Sequence, residues 1–160
     1  MLMFGKIPTY QGTEKFELGV SDDKRALTLT FSDFTARVGG KGATVPVASR
    51  LFNFVAPLTG DYGEVEFTVT VGVLTLQGAT ATIVASINGQ TKTADFPPNT
   101  DKTVEHTLKF STNDPSECRL SVLLLAGRDS TNVDAEANVN VIAINGEILP
   151  HASGTKGTTG

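Results

Sequence analysis

Along most of this chain apolar and polar residues alternate with a period of two, as in a strand that buries one face. Ala26-Leu27-Thr28-Leu29-Thr30-Phe31 is the plainest short example, and Phe34 to Val38 continues it after a bulge expected at Ser32-Asp33. Glu64 to Leu76 is the longest, with Val65, Phe67, Val69 and Val71 on one face and Glu64, Glu66, Thr68 and Thr70 on the other. The apolar phase then shifts to Val73, Leu74 and Leu76, which predicts a bend or bulge near Gly72. Further strands are predicted over 16–20, 49–58, 80–87, 90–96, 102–110, 118–126 and 137–144. Cys118 to Ala126 is apolar almost throughout and reads as a central strand.

The breaks between these runs are turn chemistry. Ser21-Asp22-Asp23-Lys24 can hydrogen-bond its own backbone, and Thr59-Gly60-Asp61-Tyr62-Gly63 separates two strands. Asn88-Gly89 is the signature of a two-residue type I′ hairpin, and Asn145-Gly146 reads as a second such turn closing the last strand. Val45-Pro46-Val47 reads as extended or edge structure, because proline donates nothing to a ladder. No segment repeats its apolar residues at helical spacing, and short turns join strands antiparallel. The expected fold class is all-β: a single antiparallel β-sandwich, jelly-roll or Greek-key in type, of about eight to nine strands. It spans 16–149, after an irregular arm over 1–15 broken by Gly5, Pro8 and Gly12, and before a flexible Gly/Thr-rich tail over 150–160.

A chain of 160 residues, 39% apolar and 19% charged, is long enough to bury one core. Its 13 basic residues are scattered and outnumbered by 17 acids, for a net charge of −4, which argues against binding nucleic acid through a basic patch. The lone Cys118 excludes an internal disulfide and a zinc site built on several cysteines, and reads as a small strand residue. The stretch from Met1 to Pro8 lacks a basic segment followed by a long apolar one, so it does not read as a signal peptide. That leaves either a cytosolic chain or one whose leader has been removed. The longest apolar run, around Val122 to Ala126, is strand-sized and too short to span a bilayer.

Catalytic groups are scarce. His106 and His151 are the two histidines, and His106 shares its predicted strand face with Val104, Leu108 and Phe110, so it reads as packed. Glu64 and Glu66 stand roughly 7 Å apart along one strand face, a spacing usable in glycosidic chemistry, yet alternation places them on the solvated side. Gly39-Gly40-Lys41-Gly42-Ala43 lacks the Lys-Ser/Thr pair and following helix of a phosphate loop. If a cofactor is present, calcium is the candidate. Asp129, Asp134 and Glu136, with Asn132, supply hard oxygen donors around the loop over 127–136, although not at EF-hand spacing. Aromatic platforms for sugar rings are short: tryptophan is absent, the tyrosines are Tyr10 and Tyr62, and most of the nine phenylalanines lie in strand register.

The stretch from Ala26 to Ala36, the pair Ser49-Arg50, the strand pair leading to Ala85–Gln90, the late Cys118 and the closing Val139 to Ile144 resemble, in order, a family of small secreted all-β proteins known only as a domain of unknown function. The resemblance covers about three quarters of the chain. It implies an all-β fold and carries no activity. Members have a cysteine just after the Ser-Arg pair and a leader peptide; here Leu51 and Phe52 follow that pair.

The function expected first is a non-catalytic structural or assembly subunit of coat, shell, fibre or decoration type. Such a subunit forms a homo-oligomer or larger assembly through its surface and terminal arms. The alternative is a ligand-binding accessory module for a carbohydrate or a protein partner, with calcium ordering its loops. A hydrolase ranks third.

Overall fold

The computed structural model describes residues 2–7, 14–39, 45–112, 117–129 and 134–149. The tail over 150–160 with His151, Tyr10, most of the 39–43 loop and Asn132 lie outside them. Among the described residues there are eleven strands and no helix: β1 Met3–Phe4, β2 Phe16–Val20, β3 Ala26–Phe31, β4 Thr35–Val38, β5 Val47–Thr59, β6 Gly63–Leu76, β7 Thr80–Ile87, β8 Gln90–Phe96, β9 Asp101–Thr112, β10 Glu117–Gly127 and β11 Glu136–Leu149. They form two antiparallel sheets packed as a sandwich. The first runs β1-β5-β10-β7-β8, and the second runs β2-β3-β11-β6-β9 with β4 also paired to β11. The expected all-β sandwich is therefore the fold, with one strand, β1, inside the segment expected to be irregular. No helix among the described residues is long and apolar enough to cross a membrane.

The alternation read from sequence sets the two faces. From β6, Val65, Phe67, Val69, Val71 and Val73 are buried, and from β10, Cys118, Leu120, Val122, Leu124 and Ala126. β10 is central, paired along its length with β5 and β7. At one end of the core five phenyl rings interlock: Phe52 of β5 lies 5.5 Å from Phe16, 5.1 Å from Phe31, 5.8 Å from Phe34 and 6.2 Å from Phe54, centroid to centroid. Tilted, edge-on and stacked rings at these distances add to plain area burial.

Two glycines depart from the sequence reading. β6 passes Gly72 without losing its register to β9, and the irregularity sits opposite, in β11 between Val141 and Ala143. The phase does not shift because Thr75, a polar residue, occupies the inward position. Its hydroxyl donates to the Pro97 carbonyl (2.6 Å) and accepts from the Thr100 N–H (2.9 Å), so burial leaves it satisfied. Asn145-Gly146 is not a turn. β11 runs straight through it, with Gly146 inward between Leu27 and Phe67. A Cβ there would lie 2.6 Å from Cε1 of the Phe67 ring, so it is glycine's small size, not its backbone freedom, that suits it to this place.

The chain entering β2 is pinned to the first sheet by a bidentate ion pair. Arg50 Nε donates to Glu14 Oε2 (2.9 Å), Nη2 bonds the other carboxylate oxygen, and Nη1 donates to the Thr35 carbonyl (3.2 Å). Glu14 is buried, and its hydrogen-bonded charge holds the Arg50 guanidinium above its ordinary pKa.

Candidate functional site

Strands β5, β10 and β7 lie side by side, so their outward residues form rows across the first sheet. One row is Asn53, Ser121 and Ser86; the next holds Val55 and Arg119; and on the other side lies Leu51, Leu123 and Val84. Where the polar rows meet the β7–β8 turn, the surface hollows into a groove of about 900 Å³. Its polar walls are Asn53, Ser86, Asn88, Glu117, Arg119 and Ser121.

The turn at this end is built by Asn88-Gly89. Both residues have positive φ, 48° and 87°, the type I′ geometry that the dipeptide favours. Asn88 also acts as a clasp. Its N–H donates to the Arg119 carbonyl (3.0 Å), its Oδ1 accepts from the Arg119 N–H (2.6 Å), and its Nδ2 donates to the Glu117 carbonyl (3.1 Å). The β7–β8 hairpin is thereby tied to β10, which fixes the groove wall. Arg119 Nε pairs with the Glu117 carboxylate; the Arg119 side chain is exposed, and both residues line the groove.

The groove thus offers amide, hydroxyl, guanidinium and carboxylate groups. A histidine or thiol is not among its lining. His106 is buried on the inner face of β9, with Nε2 3.0 Å from the Lys92 carbonyl. Cys118 points into the core, where burial pushes its thiol from the ordinary 9.0 up to about 12. A buried, protonated thiol is a poor nucleophile. We expect no labelling of the folded protein by a thiol reagent at pH 8 and full labelling in denaturant; rapid labelling of the native chain would place Cys118 outward. Because only the unfolded chain ionises this thiol between pH 9 and about 12, its contribution to stability is lost as pH rises through that window.

No family model matches the chain, and no curated protein matches it. Among solved structures the likenesses are distant. A carbohydrate-binding module, TmCBM61 in complex with β-1,4-galactotriose, is 7% identical with a TM-score of 0.42, over 81% of this chain and 86% of that one. A ruminal GH26 endo-β-1,4-mannanase is 18% identical with a TM-score of 0.39, over 77% of this chain and 22% of its own. The C-terminal CBM6 of LamC, a laminarinase from Zobellia galactanivorans, is 5% identical with a TM-score of 0.35, over 92% of this chain and 98% of that one. No role is carried to this chain from likenesses at such identities.

The other sites read from sequence lie away from the groove. Glu64 and Glu66 are on the outer face of the second sheet, where Glu64 Oε2 accepts from Ser111 Oγ (3.1 Å) and Glu66 pairs with Lys109 (3.6 Å). Asp129 follows β10, Asp134 precedes β11, and Glu136 is the first residue of β11, opposite Leu76. Among the described residues no group of three or more His, Cys, Asp or Glu side chains is placed to hold a metal ion. Tyr62 is exposed in the β5–β6 turn and does not line the groove.

Proposed function

We propose that this chain is a non-catalytic binding module that holds a hydroxyl-rich ligand, of the saccharide class, in the groove over β5, β10 and β7. The observation that carries the reading is the convergence of Asn53, Ser86, Asn88, Glu117, Arg119 and Ser121, from three adjacent strands and a turn, on one hollow of about 900 Å³. Vicinal hydroxyls donate and accept in alternation, and a lining that mixes amide, hydroxyl, guanidinium and carboxylate meets both needs. With aliphatic Leu51, Leu123 and Val84 beside the groove in place of aromatic rings, the apolar contribution to sugar binding is small and polar contacts set the affinity.

The test is calorimetric titration of the full chain with a panel of soluble polysaccharides. Arg119→Ala and Asn53→Ala should each weaken binding about tenfold or more, in line with losing a hydrogen bond to a charged or amide group. Thr70→Ala, on the outer face of the other sheet, should leave it unchanged. Full-strength binding in both groove variants would overturn the assignment. A second reading, the assembly subunit, is favoured by the exposed aliphatics of the same outer face, Val47 at 62% and Leu51 at 51%.

A further inference from the structure

Four sheet edges need protection from stray pairing, and three have it. β8 and β9 are bridged across the sandwich: Lys92 Nζ donates to the Thr107 carbonyl (3.0 Å), and His106 Nε2 meets the Lys92 carbonyl (3.0 Å). The β5 edge is covered by β1 at Leu58 and Thr59, by the Gly5 N–H on the Pro57 carbonyl (2.7 Å), and by β4 through Arg50. The fourth edge is β2, Phe16-Glu17-Leu18-Gly19-Val20. It has no lysine, no proline and no bulge, and among the described residues no strand pairs with its outer side.

The backbone geometry of that edge is readable. The Ser21 N–H donates to the Ala26 carbonyl (2.9 Å), so Glu17, Gly19 and Ser21 turn their N–H and C=O groups toward β3. Phe16, Leu18 and Val20 therefore turn theirs away from the sheet. The same residues sit in the inward side-chain register, opposite Phe31, Leu29 and Leu27. Phe16 reaches the phenyl cluster, but Leu18 is 39% exposed and Val20 43%, since the first sheet does not extend over them.

We infer that β2 is a self-association edge, pairing antiparallel with β2 of a second copy about a twofold axis at Leu18. The segment is self-complementary about that residue. Leu18 faces Leu18, and Phe16 faces Val20, so the three residues with free backbone groups meet one another and half-covered apolar side chains shield each other. On the opposite face Glu17 falls across from Gly19, where a side chain would meet nothing within 4 Å, so the two glutamates do not face each other. Exposed Lys15 lands opposite Ser21, within reach of the acidic Asp22-Asp23 turn. A closed twofold contact of this kind consumes the edge on both copies and does not propagate. The inference is independent of the groove, which lies on the other sheet.

Leu18→Cys tests it directly, because paired residues in a ladder bring Cα atoms to about 5.5 Å, inside disulfide range, and the native Cys118 is buried. Light scattering should give twice the chain mass for the wild type, and mild oxidation should trap Leu18→Cys as a covalent dimer. Leu18→Pro removes only an N–H that does not serve β3 and should halve the mass; Val20→Lys should do the same if the proline variant fails to fold. A monomeric wild type at the highest soluble concentration would overturn the inference. So would a covalent dimer forming at Leu51→Cys and not at Leu18→Cys, which would place association on the sheet face.

Discussion

Phe52→Ala should lower stability by about 3–5 kcal/mol, the range for removing a fully buried phenyl ring. Phe52 is buried and touches four other rings from β2, β3, β5 and the β3–β4 connection. Its loss opens a cavity that neighbours on different strands cannot close together. A domain of this size has a total stability of about 5–15 kcal/mol, so the variant should unfold at much lower urea with an unchanged slope. A loss under about 1 kcal/mol would mean that the cluster is loosely packed and that another part of the core holds the sheets together.

The second large effect is expected from adding atoms. Gly146→Ala puts a methyl group 2.6 Å from Cε1 and 3.1 Å from Cδ1 and Cζ of Phe67, itself wholly buried. Overpacking of this kind costs about 1–3 kcal/mol, and the central position of β11 puts the loss near the top of that range. For a domain of this length that is roughly 5–10 °C in Tm. The decisive measurement is the double variant Gly146→Ala/Phe67→Leu, which should recover part of the loss because the two sites share one space. Were Gly146→Ala neutral, the close approach of the Phe67 ring to this position would be wrong.

These two positions also show what could be read before the fold was known. Phe67 and the inward faces of β3 and β6 were legible because burial of one sheet face writes itself into the sequence every second residue. Phe52 and the inward face of β10 were not, because Leu51 and Val55 on β5 and Leu123 and Leu125 on β10 are apolar at outward positions and blur the alternation. Asn88-Gly89 was legible because a type I′ turn is a local demand for two positive φ values. Asn145-Gly146 carries the same two letters, but there the glycine answers a ring 79 positions earlier in the chain, at Phe67, which local chemistry does not reveal. Thr75 misled the phase of β6 for a related reason: its partners, Pro97 and Thr100, arrive from beyond the next hairpin.

The groove was out of reach for a different cause. Asn53, Ser86, Arg119 and Ser121 each occupy an unremarkable outward position on its own strand, and outward polar residues are the ordinary surface of a sandwich. What makes them a group is the neighbour order β5-β10-β7, in which the strand late in sequence lies between two earlier ones. A reader of sequence could have asked which outward polar residues share a row once β10 was taken as central. The Asn88 clasp supplies the missing register, since it joins the hairpin to Glu117 and Arg119.

The placement of β11 bears on how the protein is made. It is the last described strand in chain order, yet it lies in the middle of the second sheet, bonded to β3 and β4 on one side and β6 on the other. During translation β3 and β6 leave the ribosome with their inner edges unpaired, and no earlier strand takes that slot in the finished fold. The second sheet therefore closes in one late step, after about residue 149 has been released. Until then the nascent chain carries two adhesive edges, and chaperone capture is expected to be longest in that interval.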